Sequence, residues 1–115
     1  MASVAAQSPL IKNVVYCATK VFVKYLCQGA SASFSARGPK NVEIMALQPA
    51  FVDTKMIAKV KEMKMDHGAV TVKQCVDGAL RDLGHETTTF GPMLHDFLNP
   101  ILTTLWKYGF DIEKA

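Results

Sequence analysis

Val42-Glu43-Ile44-Met45-Ala46-Leu47-Gln48-Pro49-Ala50-Phe51-Val52-Asp53-Thr54 opens as a short, largely apolar run and then meets a proline. A strand with one wet face alternates apolar and polar residues. Residues 42–47 hardly alternate, which is how a strand covered on both faces of a parallel sheet reads. Glu43 then belongs near the strand's entrance. Residues 49–54 become the loop leaving its carboxyl end, the edge at which ligands bind in open α/β sheets.

Upstream, residues 13–36 have a helical period, with Val14, Ala18, Phe22, Tyr25 or Leu26, and Gly29 recurring every three to four positions. Asn13 is placed to cap this helix, and Arg37-Gly38-Pro39 to stop it. A glycine inside a helix costs about 1 kcal/mol against alanine, so Gly29 predicts a close contact. Residues 1–13 begin with small residues and pass through Ser8-Pro9, in the manner of a strand end running into a loop.

Downstream, residues 54–66 predict a lysine-rich helix with Met56, Ile57, Val60, Met63 and Met65 on one face, broken at Asp66-His67-Gly68. The methionines suit a core, or a flexible lid over a lipid-like substrate. Thr71 can cap a further helix through Leu83, with Val72, Cys75, Val76, Ala79 and Leu80 inward and Gly84 closing it. Residues 86–93 predict a last strand. An amphipathic helix follows from Leu94, broken or kinked at Pro100. Helix, strand, helices, strand, helix is the order of an α/β domain entered halfway through.

The 115 residues are 50% apolar and 20% charged, which excludes long disorder. The net charge of +3 is spread out, and the run Lys55, Lys59, Lys61, Lys64 fits a solvated helix face better than a nucleic-acid patch. Cys17, Cys27 and Cys75 lack ligand spacing, so free thiols are expected rather than bridges or zinc. His67, His85 and His95 form no metal-binding pair and read as surface or capping residues; no metal is expected. No signal peptide is visible at Met1-Ala2-Ser3, and no run reaches the ~18–20 apolar residues of a membrane span.

The chemistry gathers at Tyr16-Cys17-Ala18-Thr19-Lys20. On a helix, Tyr16 and Lys20 share one face with Cβ atoms roughly 5–6 Å apart, while Cys17 points away. A phenol titrates near 10, and an ammonium about 4 Å away is worth about 4 kcal/mol at an effective dielectric near 20. Such a pair is a device for moving a proton. Ser3, delivered from a neighbouring strand end, can hold the oxygen that receives it. On its own the pair also reads as an amphipathic helix with one snorkelling lysine. The ordered set decides between these readings: Ser3, Tyr16, Lys20, one glycine-stopped helix, a buried strand, then Pro49-x-x-Val52-x-Thr54.

That set resembles the short-chain dehydrogenase/reductase superfamily over nearly the whole chain, but only the C-terminal half of the family's domain. The resemblance implies the C-terminal half of a Rossmann-type, doubly wound parallel sheet, with residues 1–115 a partial domain. It implies that Tyr16 donates the proton to a substrate carbonyl, that Lys20 binds the nicotinamide ribose and lowers the tyrosine's pKa, and that Ser3 positions the carbonyl oxygen. Pro49, Val52 and Thr54 would meet the nicotinamide carboxamide. The segments Tyr16 to Val23 and Pro49 to Lys55, with Leu83-Gly84 and Gly91-x-x-x-His95, resemble the branch of very-long-chain 3-oxoacyl-CoA reductases and 17β-hydroxysteroid dehydrogenases of types 3 and 12. That likeness implies NADP(H), with NAD(H) the other candidate, an acyl-CoA or steroid-like substrate, and the endoplasmic reticulum membrane.

None of the seven glycines forms a G-x-G cradle, so the dinucleotide pyrophosphate has no assignable site here. The chain is accordingly expected to bind cofactor weakly or not at all, as a fragment, a truncated gene or a degenerate paralogue. Three function classes follow. One is an oxidoreductase half-domain. The second is a non-catalytic interaction module, pairing through helix 14–36 as the family's enzymes often dimerise. The third is a membrane-surface module organised by residues 94–110, where Trp106 and Tyr108 flank Lys107.

Overall fold

Residues 46–49 use both of their edges, and this sets the architecture. The computed structural model describes residues 1–10, 12–39, 41–58, 62 and 69–107. Strand β1 (Ala46–Leu47) runs parallel to β2 (Thr88–Thr89), with Ala46 opposite Thr88 and Leu47 opposite Thr89. Ala46 N donates to Thr87 O at 3.0 Å and Gln48 N to Thr89 O at 2.8 Å. The intervening carbonyls point to the other edge, where Leu47 O accepts from Ala2 N (2.8 Å) and Pro49 O from Val4 N (3.1 Å). The spacing is that of a parallel ladder. Pro49 has no N–H to answer the neighbouring chain, so on that edge it adds only its carbonyl to the ladder.

The helices lie on opposite faces of this layer. Gln28 Nε2, on α1 (Val14–Arg37), donates to Thr88 Oγ1 at 3.1 Å. Thr89 Oγ1 donates to the Asp82 carboxylate on α2 (Val72–Asp82). Adjacent strand residues face opposite ways, so α1 covers one face and α2 the other. A third helix, α3 (Met93–Lys107), leaves the turn at Gly91-Pro92. This is the expected α/β arrangement with a parallel sheet.

Helix α2 starts where the sequence places it. Thr71 Oγ1 accepts from Gln74 N (3.1 Å) and Gln74 Oε1 accepts from Thr71 N (2.9 Å), a full capping box. It ends at Asp82, with Gly84 at φ +84° turning the chain away.

Several expectations are corrected. The strand expected at 42–47 is only Ala46–Leu47, with Val42 and Glu43 exposed, because its partner is just two residues long. The strand expected at 86–93 stops at Thr89, where Gly91 (φ +86°) and Pro92 turn the chain into α3. Gly29 makes no close contact with the rest of the fold: the space a side chain would take there is open. The close approach is at Gly78, which packs on the Gly91 carbonyl. Asn13 precedes α1 without a side-chain cap, and α1 runs on to Arg37. Of the face expected inward on α2, Cys75 is buried, while Val72, Val76 and Leu80 are exposed along a stripe four residues apart. That stripe is rotated away from the face holding Cys75 and Gly78, which the sheet and the Gly91 turn cover.

Within the helix expected at 54–66, Lys55–Ile57 is a 3-10 turn that buries Ile57 and leaves Met56 exposed. Lys59, Val60, Lys61, Met63, Lys64, Met65 and the break at Asp66-His67-Gly68 lie outside the described residues. Pro100 sits inside α3 and does not end it. Residues 108–115, and the side chains of Trp106 and Lys107, lie outside the described set. No helix among the described residues is long and apolar enough to cross a membrane.

Candidate active site

Tyr16 lies in the first turn of α1 and Lys20 one turn later, and the two do share a face. Lys20 Nζ stands over the Tyr16 ring, 5.4 Å from its centroid. The ammonium thus meets the negative face of the aromatic ring. Tyr16 is partly exposed and Lys20 half-buried, so both are reachable from solvent. Cys17, on the opposite side, is buried, and its Sγ accepts from Leu10 N at 3.4 Å. That contact fastens the loop preceding α1.

Ser3 caps the 3-10 turn Val4–Ala6, its Oγ accepting from Ala5 N at 3.2 Å. A hydroxyl has two acceptor positions and one donor, so this bond leaves the O–H to donate. Helix α1 packs against the same turn. The bond from Val4 N to Pro49 O sets Ser3 beside Pro49 at the carboxyl edge of the sheet.

Beyond Pro49 the described residues make an isolated parallel bridge, Val52 to Val70. Its bonds run from Asp53 N to Val70 O (2.8 Å) and from Val70 N to Phe51 O (3.0 Å). Val52's own N–H and C=O therefore point to the other side and are not spent in the bridge. A carboxamide carries one donor group and one acceptor, the complement of that pair. Thr54, exposed before the turn Lys55–Ile57, does not use its hydroxyl as a cap. These residues fit the carboxamide end of a nicotinamide cofactor. No residues are assigned to the pyrophosphate.

Two buried residues were not foreseen. Gln48 is 0% exposed and accepts from Gln7 Nε2 at 2.8 Å. Its own Nε2 has no hydrogen-bond partner among the described residues. His95, read from the sequence as a surface or capping residue, is 2% exposed, and its Nδ1 accepts from Ala50 N at 3.3 Å. Helix α3 carries it inward from the Gly91-Pro92 turn, a placement that no local spacing announces. His85 is exposed as expected, and His67 lies outside the described residues. No three potential metal ligands cluster among the described residues.

Away from these residues, a crevice of about 460 Å³ between α2 and α3 is lined by Val70, Gln74, Asp77, Gly78, Arg81 and Pro92 among others. None of Ser3, Tyr16, Lys20, Pro49, Val52 or Thr54 lines it. The Arg81 guanidinium bonds the Asp82 carboxylate at 2.6 and 2.9 Å, holding that carboxyl below the usual range. Burial pushes the Cys75 thiol up.

The family model described as short chain dehydrogenase matches residues 1–65. The chain is 27% identical over 110 residues to the very-long-chain 3-oxoacyl-CoA reductase of Rattus norvegicus, covering 94% of this chain and 33% of that protein. It is 28% identical over 102 residues to the protein of the same name in Homo sapiens (87% and 31%), and 24% over 110 residues to that of Mus musculus (94% and 33%). The chain spans about a third of the length of these curated relatives. No solved structure matches it significantly. With the matched stretch running from Ser3 through α1 and β1 and past Thr54, over more than half of the residues, the chain belongs to the short chain dehydrogenase family.

Proposed function

We propose that this chain carries the proton-donating wall of a carbonyl reductase that uses a nicotinamide cofactor. The observation that supports this best is Lys20 held over Tyr16 on the helix that packs against the Ser3 turn, with Pro49 alongside. Tyr16 gives its phenolic proton to the carbonyl oxygen as that oxygen gains charge, a general acid role. Ser3 donates its O–H to the same oxygen and orients it. Lys20, held over the Tyr16 ring, reaches the nicotinamide ribose. The Val52 backbone and the Thr54 hydroxyl hold the carboxamide. When bound, the cofactor supplies the hydride. NADP(H) is proposed over NAD(H), and the substrate class is a 3-ketoacyl-CoA, after the relatives' names, with a ketosteroid second.

The test is NADPH-dependent reduction of a 3-ketoacyl-CoA by the longest form of the protein that can be expressed, beside Tyr16→Phe and Lys20→Met. A general acid contributes about 10²–10⁴-fold, so Tyr16→Phe should lose activity on that scale with its circular dichroism unchanged. Unchanged activity removes the reading. The 115-residue chain alone should bind NADPH weakly; low-micromolar affinity by calorimetry contradicts that part.

A second reading, an interaction module, is favoured by the exposed Phe22, Tyr25 and Leu26 of α1, which suit a dimer contact through residues 14–36. A membrane-surface role at the endoplasmic reticulum would use Met93, Phe97 and Ile101, exposed one turn apart on α3. Co-sedimentation with anionic vesicles checks it, and Phe97→Glu should abolish the binding.

A further inference from the structure

Ala50 begins the loop that the proposed function assigns to the carboxamide, and its backbone N–H is turned inward to a histidine from the far end of the chain. A backbone N–H can only donate, so His95 Nδ1 is the acceptor, and the ring is the neutral tautomer carrying its hydrogen on Nε2. The ring is 2% exposed. An apolar side chain there would deprive the part-buried Ala50 N–H of this acceptor, a loss that folded proteins tend to avoid. His95 is itself braced, its backbone N donating to Pro92 O at 2.9 Å in the first turn of α3.

The loop is thus tied at two points. Its far end is held by the Val52–Val70 bridge, and its near end by His95. Between them the chain has little freedom to rotate, so Val52 must present its N–H and C=O away from Val70. We infer that His95 is a positioning residue: from α3 it fixes the loop 50–54 so that the Val52 backbone faces the ligand side. The inference rests on reading that loop as the carboxamide-contacting segment. It goes further in making the C-terminal helix part of the cofactor site without touching the cofactor.

The experiment compares the 115-residue chain with His95→Phe, which fills the space but cannot accept, and with His95→Asn, whose Oδ1 sits near the position of Nδ1. Amide exchange in wild type should be slow at Ala50. In His95→Phe, exchange across 50–54 should rise about tenfold or more while 46–48 and 88–89 stay protected, and His95→Asn should restore most of that protection. Equal exchange in all three chains overturns the inference. So does global unfolding of both variants, which would make His95 a core residue only. Nitrogen-15 shifts of the wild-type ring add a readout that needs no variant: a hydrogen on Nδ1 instead of Nε2 overturns the inference even if His95→Phe alone fails to fold. NADPH titration of the longest form of the protein that can be expressed, beside its His95→Phe variant, separates the two claims. Absence of binding by wild type counts against the loop's assignment, and the exchange pattern then decides the role of His95. Binding that is equal in wild type and His95→Phe counts against positioning.

Discussion

A methyl group added at Gly78 would lie inside the Gly91 carbonyl and 2.8 Å from the Pro92 nitrogen, all of it backbone that cannot swing aside. Gly78→Ala should therefore cost about 1–3 kcal/mol by overpacking, read as a lower urea midpoint. Gly29→Ala has open space around it, and alanine's better helix propensity should add about 0.5–1 kcal/mol. The sequence pointed to Gly29 as the tight site because it lies mid-helix; that Gly78 meets a turn thirteen residues on is a tertiary fact no local pattern carries. Tyr16 and Lys20 were readable in advance for the opposite reason, since helical spacing alone brings them together. A third residue sets a pH response. Because Arg81 depresses the Asp82 carboxyl, Asp82 adds stability above the ordinary carboxylate pKa near 3.9, and that stability is lost as pH falls through the lower folded value. Asp82→Asn should thus be less stable than wild type at pH 7 and converge with it on acidification, as followed by thermal melts from pH 7 to 2.

Among the elements, the start of helix α2 could be read, whereas for the strands only the position could, not the length. The start of α2 is written in Thr71 and Gln74, whose side chains and backbones bond reciprocally, and Thr71→Ala should cost about 1 kcal/mol in a denaturation series. A strand's length belongs to its partner. The six residues at 42–47, five of them apolar, find only two opposite them, so Val42 to Met45 lie outside any ladder. The carboxyl edge of β1 was still placed correctly, because Pro49 carries no N–H and so cannot sustain a full ladder. His95 was misread because its partner, Ala50, is a backbone amide and leaves no trace in composition.

At the scale of the whole molecule the layers are present but incompletely covered. Phe22 (67% exposed) and Leu26 on α1, and Val76 and Leu80 (64%) on α2, leave apolar surface on both sides of the sheet. Surface of that kind associates. Sedimentation of the chain should show self-association that weakens as concentration drops, and Phe22→Gln with Leu26→Gln should shift it toward monomer without lowering the melting temperature.

The ladder itself joins distant parts of the chain. Ala2 and Val4 reach Leu47 and Pro49 only across the whole of α1, and Ala46 reaches Thr88 only across α2. No hairpin exists among the described residues to nucleate this sheet cheaply, and each pairing must first close a long loop. During synthesis β1 has one neighbour until Thr88–Thr89 has emerged, and the Ala50–His95 tie waits longer still. The loop at 50–54 is therefore among the last segments to be fixed in place as the chain is made.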